Sequence, residues 1–266
     1  MKQNTFSIVV STYNRAEKLQ KMIEAFMSQN YPKDKFELIV SDDGSTDATG
    51  KMVKRYPVVY IKNPHQGIVK CLNRGMKLAK NEFMINIPDD NLPEPNFLKD
   101  CNEWINKYPK YSAFAAIQLP TDEESKSNVF ARYESSMVDY YLSQGGFGNP
   151  QIISKEALKD INYLDGAEGY SEDAELWERL KKKDYKVMQT SVRVAHMRDY
   201  SLDGFIQQAK NRAKMGRAYR GRAFLVGKLI ATPVLSLVYL YRMRKVDMAL
   251  MLTAFNFMSS AYGAFG

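Results

Sequence analysis

The chain has 266 residues, 45% of them hydrophobic, which is enough for one large folded domain or for a domain with an appendage. Its two cysteines, Cys71 and Cys101, exclude a disulfide-rich scaffold and a paired-cysteine metal site, so a reducing compartment, the cytoplasm, is expected. The first residues run directly into a short strand and do not predict a secretory signal. The net charge is +8, yet the segment from Gly204 to Val246 holds ten Lys or Arg and no acidic residue, leaving 28 basic and 30 acidic residues elsewhere.

Apolar strands alternate with amphipathic helices over the first 120 residues. The hydrophobic patterns predict strands at Phe6–Thr12, Phe36–Val40, Val58–Ile61, Phe83–Ile87 and Ala113–Leu119, and helices around Leu19–Met27, Ile68–Lys80 and Asn96–Tyr108. Residues 42–44 are predicted to form a turn. Ser45, Thr46 or Asp47 is predicted to be the N-cap of a further helix. The alternation predicts an α/β fold with a mostly parallel central sheet flanked by helices. In such sheets, ligands bind beyond the carboxyl ends of the strands.

The pattern weakens after Thr121. Residues 145–148 are glycine-rich and predict a flexible loop, followed by a helix at Glu172–Lys183 and a strand at Lys186–Ala195. The last 66 residues differ from the rest, because a basic helix at Phe205–Arg222 precedes two apolar stretches.

The first apolar stretch, Ala223–Tyr241, contains Lys228 and is interrupted by Pro233; the second is Val246–Gly266. Three interpretations stay open: a helix pair packed on the main domain, an amphipathic segment at an anionic membrane surface, or a transmembrane hairpin. A basic run also occurs in nucleic-acid binders, but the apolar stretches beside it favour lipid, so no nucleic-acid partner is expected.

Two pairs of carboxylates follow predicted strands. Asp42 and Asp43 are typical either of a turn with a helix cap or of contacts to a nucleotide, with Thr12, Tyr13 and Asn14 forming the opposite wall. Asp89 and Asp90 repel each other unless a positive charge is near. A Mg²⁺ ion, which proteins usually hold with one or two carboxylates and substrate phosphates, would resolve that repulsion; a solvated acidic loop is the alternative.

A third acidic pair, Glu172 and Asp173, opens a predicted helix. Acidic residues in a first turn stabilise a helix because they interact favourably with its dipole. The alternative is that Asp173 serves as a general base. His196 follows the last predicted strand and is either structural or a metal ligand.

Taken in order, these motifs resemble family 2 of the glycosyltransferases, which have the GT-A fold. The resemblance covers about residues 5–200. It rests on the segments 7–15 and 37–47, on 67–73 with Gly75, on Pro88-Asp89-Asp90 with the downstream Pro93, Pro95 and Phe97-Leu98, and on Glu172-Asp173 and His196. It implies a catalytic domain at residues 1–200, with a donor half at about 1–100 and an acceptor half at about 101–200, and a separate helical segment at 201–266.

The resemblance also implies roles for individual residues. Asp173 with Glu172 corresponds to the catalytic pair of inverting members, and Asp90 and His196 to ligands of Mg²⁺ or Mn²⁺. The implied substrate contacts are Thr12, Tyr13, Asn14, Arg15, Asp42, Asp43, Lys70, Asn73, Arg74 and Asp89.

Two positions depart from the family pattern. Pro88 replaces the first Asp of the Asp-x-Asp motif, and Leu72 stands where many members have an Arg, so Lys70 or Arg74 would have to neutralise phosphate.

The implied activity is inverting sugar transfer from a nucleoside diphosphate sugar, by default a UDP-sugar, to a glycan or lipid-linked acceptor in polysaccharide or glycolipid synthesis. The expected location is the cytoplasm, with peripheral attachment to the inner face of the plasma membrane. A sugar nucleotidyltransferase and a non-catalytic relative that binds sugar or a partner are the alternatives. The first would usually carry a glycine-rich loop after its first strand, where this chain has Thr12-Tyr13-Asn14-Arg15.

Overall fold

The structure is a computed structural model. It describes the backbone of residues 1–165, 172–243 and 246–265, and all side chains in these ranges except 172–175, 215–222, 224, 234 and 236–243. The chain divides into two compact units. The α/β unit comprises Met1–Leu119 and Gly146–Met197, and the helical unit comprises Pro120–Gly145 and Arg198–Gly266.

The described α/β unit is built on an eight-stranded sheet with the order β3-β2-β1-β4-β7-β6-β8-β5. The strands are β1 (Phe6–Thr12), β2 (Phe36–Asp42), β3 (Val59–Lys62), β4 (Phe83–Asn86), β5 (Asn91–Pro93), β6 (Ala113–Leu119), β7 (Gln151–Ser154) and β8 (Val187–His196). Neighbouring strands are parallel from β3 through β4 and between β6 and β8. They are antiparallel where β7 meets β4 and β6, and where β5 meets β8. The predicted α/β class with a mostly parallel sheet is confirmed.

The described helices are α1 (Ala16–Met27), α2 (Thr49–Val53), α3 (Ile68–Leu78), α4 (Phe97–Lys107), α5 (Asp122–Ser127), α6 (Val129–Ser143), α7 (Lys155–Asp160), α8 (Glu172–Lys182), α9 (Leu202–Met243) and α10 (Val246–Phe265). Helices cover both faces of the sheet because the side chains of a strand alternate between faces. In β1, Ile8 and Val10 pack in one hydrophobic cluster with Phe26 of α1. Val9 points the other way, into a cluster with Met76 of α3.

Several elements differ from the sequence prediction. The N-cap of α2 is Ala48 and not residues 45–47, although the Asp47 carboxylate accepts a hydrogen bond from the Thr49 backbone N–H at 3.0 Å. Asp42 still belongs to strand β2, so the turn begins one residue later than predicted. The sequence pattern did not predict β5, β7, α5, α6 or α7. Apart from α6, which has 15 residues, these elements have three to six residues, too few for a period to show.

The helical unit has a core of its own. Tyr133 of α6 packs with Phe205 of α9 and with Met248, Leu252 and Phe255 of α10. Helix α9 runs for 42 residues with Pro233 inside it, so the predicted basic helix and the first apolar stretch form one continuous helix. No helix in the described part of the chain is long and apolar enough to cross a membrane.

Candidate active site

The carboxyl ends of the parallel strands bring three predicted residues together. Thr12 ends β1, and Asp42 is its partner at the end of β2. Asp89 lies three residues beyond β4, and its Oδ2 accepts a hydrogen bond from Thr12 Oγ1 at 2.8 Å. Thr12 therefore lies next to Asp42 in the sheet and hydrogen-bonds to Asp89, a residue 77 positions away in the sequence.

Asp42 is fully buried and both its carboxylate oxygens are engaged. Oδ1 accepts from the Ser45 backbone N–H at 2.7 Å, and Oδ2 accepts from the Tyr60 hydroxyl at 2.7 Å. Burial raises the pKa of the Tyr60 hydroxyl well above its usual range, and the hydrogen bond to Asp42 raises it further. Tyr60 therefore remains protonated and donates to Asp42.

Asp43 holds the loop that leads into α3. Its carboxylate accepts hydrogen bonds from the backbone N–H groups of Gln66 and Gly67, each at 3.0 Å. His65 in this loop stacks on the ring of Tyr13, with centroids 4.2 Å apart. Both rings are largely exposed, and together they form an aromatic surface beside Asp42 and Asp43.

Asn14 ties together the loops that follow β1 and β2. Its φ of 53° lies in the left-handed region, which asparagine tolerates better than most residues. Its Oδ1 accepts from the Thr46 backbone N–H at 2.8 Å, and its own N–H donates to Ser45 Oγ at 2.9 Å. In this structure Asn14 shapes the loops around the edge of the sheet.

Arg15 provides the positive charge that the two adjacent carboxylates require. Its Nη1 lies 2.7 Å from Asp89 Oδ1 and 3.4 Å from Asp90 Oδ2. Burial raises the pKa of Asp89, and the charge of Arg15 and the hydrogen bond from Thr12 oppose that rise. Arg15 itself remains half exposed, so it can also reach a ligand in the cleft.

Asp90 and His196 lie side by side because β5 pairs with β8. Asn91 of β5 is the register partner of His196, which places the imidazole Nε2 3.6 Å from Asp90 Oδ2. Burial alone would raise the pKa of Asp90, but the hydrogen bond and charge of His196, followed by the charges of Arg15 and Lys18, outweigh it and lower that pKa to about 2. Asp90 is therefore ionised at neutral pH.

A divalent cation fits this corner of the site when a ligand completes its coordination. Among the side chains that the structure describes, no three His, Cys, Asp or Glu residues form a metal cluster. Asp90 and His196 supply one oxygen and one nitrogen donor, which suits Mn²⁺ or Mg²⁺ if phosphate oxygens fill further positions. The neighbouring Asn91 is fully buried, and neither its Oδ1 nor its Nδ2 has a hydrogen-bond partner.

Three predicted site residues, Lys70, Asn73 and Arg74, lie on α3 and have different surroundings. Lys70 is exposed. Arg74 donates to Asn63 Oδ1 at 3.2 Å and to Gln66 Oε1 at 2.6 Å, so it braces the loop held by Asp43. Leu72 is buried in the core and offers no charge to a phosphate.

Asn73 makes a reciprocal pair of hydrogen bonds with the backbone of Leu164. Its Nδ2 donates to the Leu164 carbonyl at 2.8 Å, and its Oδ1 accepts from the Leu164 N–H at 3.0 Å. Asn73 thus fixes the chain shortly before the start of α8. Helix α8 begins at Glu172, as predicted, but the side chains of Glu172 and Asp173 lie outside the described residues.

Sequence reasoning missed the residues that support the predicted ones, namely Lys18, Ser45, Tyr60, His65 and Gln66. Tyr60 carried a usable signal, because a tyrosine in a strand beside β2 can reach a carboxylate at the strand end. The contacts of His65 and Gln66 depend on the conformation of a loop, which the sequence pattern does not reveal.

Comparisons of the sequence and of the fold with known proteins agree on one family. A sequence profile of glycosyl transferase family 2 matches residues 7–161, which is more than half of the chain. A dolichyl N-acetyl-alpha-D-glucosaminyl phosphate 3-beta-D-2,3-diacetamido-2,3-dideoxy-beta-D-glucuronosyltransferase of Methanococcus voltae is 24% identical over 209 residues, covering 69% of this chain and 64% of that protein. The chain spans 33% to 64% of the length of this and two other curated relatives.

Two solved structures share the fold. The mannosyltransferase PcManGT from Pyrobaculum calidifontis, in complex with GDP-Man and Mn²⁺, superposes with a TM-score of 0.67 at 17% identity, covering 99% of this chain and 88% of that one. Residues 1–349 of S. aureus TarS in complex with UDP give a TM-score of 0.55 at 21% identity, covering 80% of this chain and 65% of that one.

Proposed function

The chain belongs to glycosyl transferase family 2, and from this premise we propose that it transfers one sugar from a nucleoside diphosphate sugar to a hydroxyl of a glycan or lipid-linked acceptor. Relatives in the family act in glycan and polysaccharide synthesis. The observation that carries the proposal is the hydrogen bond from Thr12 to Asp89 at the strand ends, with Asp42 and Asp90 on either side.

The donor's nucleoside end lies at Asp42 and at the stacked rings of Tyr13 and His65. Asp42, held by Ser45 and Tyr60, fixes the wall of this part of the cleft, and an exposed aromatic face can stack on a base. Asp89 lies between this end and Asp90, where ribose and phosphate would follow. The order of the residues along the edge therefore matches the order of groups in a nucleoside diphosphate sugar.

The leaving diphosphate carries the charge that the site must stabilise. A Mg²⁺ or Mn²⁺ ion held by Asp90 and His196 would supply Lewis-acid stabilisation of that charge, worth several kcal/mol. Arg15 is close enough to Asp89 and Asp90 to add a guanidinium to the same region. Lys70 and Arg74 are the further cations that could face phosphate.

The acceptor hydroxyl needs a base, and Asp173 is our assignment. Its carboxylate would take the hydroxyl proton as the oxygen attacks the anomeric carbon from the side opposite the diphosphate. The carbon–oxygen bond to the acceptor forms, the bond to phosphate breaks, and the anomeric configuration inverts. A positioned base typically contributes about 10²–10⁴-fold in rate.

A thermal-stabilisation screen identifies which nucleotide the donor site binds. PcManGT was solved with GDP-Man and TarS with UDP, so UDP and GDP are compared, each with and without Mn²⁺. We expect one of them to raise the unfolding temperature in the presence of Mn²⁺, and Asp90→Ala to remove the dependence on the metal. If neither nucleotide changes the unfolding temperature, the proposed donor site is wrong.

Transfer is tested with the donor that the screen selects. We expect Asp173→Asn to keep the nucleotide-dependent stabilisation and to lose at least about 10²-fold in turnover, while Glu172→Gln loses less. Full turnover in Asp173→Asn would refute its role as the base. Nucleotide binding with no turnover of any sugar by the unmodified protein would favour a non-catalytic relative.

A further inference from the structure

The two long helices of the helical unit expose apolar side chains along the hairpin that they form. We propose that this surface inserts into the apolar part of an anionic lipid bilayer. The inference goes beyond the proposed function and does not depend on the chemistry of the sugar-transfer site.

Helix α10 is apolar on both its faces. Its inner face packs in the core of the helical unit through Met248, Leu252 and Phe255. Its outer face exposes Val246 by 64%, Leu250 by 58%, Phe257 by 52% and Phe265 by 70%. Asp247 is the one charged residue in the 20 residues of α10, and a helix that is hydrophobic all round is typical of a buried or membrane-embedded setting.

The spacing makes this outer face continuous. Val246, Leu250, Ala254 and Phe257 are exposed and follow one another at intervals of four, four and three residues, which places them on one side of a helix. Contiguous exposed apolar surface of this kind marks a site of interaction and is rare on the free surface of a soluble monomer.

Helix α9 exposes apolar residues of its own. Ala223, Gly227, Ile230 and Pro233 are exposed at intervals of four, three and three residues, and Ile230 is 74% exposed. Lys228 Nζ donates to Asn256 Oδ1 at 2.8 Å between the two helices, so the cation is turned toward the hairpin interior and away from this face. We name the exposed residues 223, 227, 230, 233, 246, 250, 254 and 257 the apolar hairpin surface.

The charge distribution favours lipid over a second copy of the chain as the occupant. In the first part of α9, Arg212 and Lys214 are exposed. The segment 204–246 carries ten basic and no acidic residues. Two copies would bring these positive segments together, whereas anionic headgroups attract them. A layer of apolar residues beside a basic segment matches acyl chains beneath anionic headgroups.

The native cysteines make a site-specific probe practical. Cys71 and Cys101 are both buried, so a cysteine introduced at Phe257→Cys can be labelled with an environment-sensitive fluorophore in the folded full-length protein. The control is Leu78→Cys, an exposed apolar position on α3. Vesicles of phosphatidylcholine with about 30% phosphatidylglycerol supply the anionic bilayer.

We expect the label at position 257 to brighten and shift to the blue with these vesicles, and the label at position 78 to stay unchanged. Nitroxide lipids that quench at different depths then report how far the label enters. No spectral change at position 257 would overturn the proposal. A change that follows protein concentration without vesicles would assign the surface to a second copy and would also overturn it.

Vesicle flotation of a matched pair of triple variants provides the second measurement. Ile230→Ser/Leu250→Ser/Phe257→Ser removes apolar side chains from the surface, and Val59→Ser/Leu78→Ser/Val129→Ser removes exposed apolar side chains elsewhere. Circular dichroism checks that both fold. We expect the first variant to bind at least about ten-fold more weakly than the unmodified chain and the second to bind equally well. Equal binding by both variants would refute the assignment.

Discussion

At the scale of single residues, Arg15 allows two neighbouring carboxylates to lie at one strand end. Asp89 is almost fully buried and pairs with the Arg15 guanidinium at 2.7 Å. Removing one partner of a buried pair leaves an uncompensated charge, although the half-exposed Arg15 makes this cost smaller than for a fully buried pair. We predict that Arg15→Met lowers the free energy of unfolding by about 1–2 kcal/mol, measured by urea denaturation.

Two controls separate this charge effect from a general surface effect. Arg15→Lys should retain most of the stability, and Arg55→Met, at an exposed position, should change it by less than about 0.5 kcal/mol. In a double-mutant cycle, Asp89→Asn should cost less in the Arg15→Met background than alone. Additive effects of the two substitutions would show that the pair is not coupled.

The buried hydroxyl of Tyr31 contributes to the free energy of unfolding, and this contribution is lost at alkaline pH. Its buried hydroxyl donates to the Asn4 carbonyl at 2.7 Å, and burial, with smaller contributions from Cys101 and Glu82, raises its pKa to about 12. The pKa in the unfolded chain is about 10. Since the folded state holds the proton more tightly, this contribution is complete below pH 10 and is lost as the pH rises toward 12.

We predict that Tyr31→Phe is less stable than the unmodified protein at neutral pH by about 1 kcal/mol, because one buried carbonyl loses its donor. The difference between the two proteins should shrink above pH 10. Urea midpoints measured from about pH 8 to pH 11 check this sign. A difference that grows with pH would contradict the raised pKa.

The residues that could be predicted from the sequence are those whose position follows from a strand end. Thr12, Asp42 and Asp89 meet because parallel strands end at one edge, and a strand pattern locates that edge. The partners of these residues could not be predicted. Tyr60 reaches Asp42 from another strand, and Leu164 meets Asn73 across 91 residues, so both contacts depend on tertiary packing.

At the scale of elements, a glycine of α3 is packed closely against the sheet, whereas a glycine of α9 has open space around it. A Cβ built on Gly75 of α3 would lie 2.8 Å from Val9 Cγ1 and 3.3 Å from Ser41 Cβ, so this helix packs closely on the sheet. A Cβ on Gly227 of α9 meets nothing within 4 Å. We predict that Gly75→Ala destabilises by about 1–3 kcal/mol through overpacking, whereas Gly227→Ala stabilises by up to about 1 kcal/mol through helix propensity.

Chemical denaturation of the two alanine variants measures this contrast. Each serves as the control for the other, because the substitution is identical and only the surroundings differ. Equal effects of the two substitutions would mean that intrinsic helix propensity, and not close packing on the sheet, decides the outcome at Gly75.

The predicted elements were accurate where a long apolar pattern existed. Strands β1 and β6 begin and end at the predicted residues, and α3 and α4 lie within the predicted ranges. The three-residue strand β5 could not be predicted, although its pairing with β8 brings His196 to Asp90. The contact between Asp90 and His196 therefore depends on an element that is too short to leave a signal.

At the scale of the whole molecule, the hydrophobic clusters of the two units share no residues among those that the structure describes. The clusters of the α/β unit contain residues of its sheet and its flanking helices. The cluster of the helical unit contains residues of α6, α9 and α10 alone. The assignment of residues 120–145 to the helical unit could not be predicted, because α6 shows no unusual composition.

Separate cores predict that the two units respond differently to ligands. A ligand that binds only the folded α/β unit should stabilise that unit, by about 2.7 kcal/mol at 100 times its dissociation constant. We therefore predict two transitions in calorimetry, of which the nucleotide with Mn²⁺ raises only one. Gly227→Ala should raise the other, since it strengthens a helix of the helical unit. A single transition that both changes raise together would show that the two cores unfold as one cooperative structure.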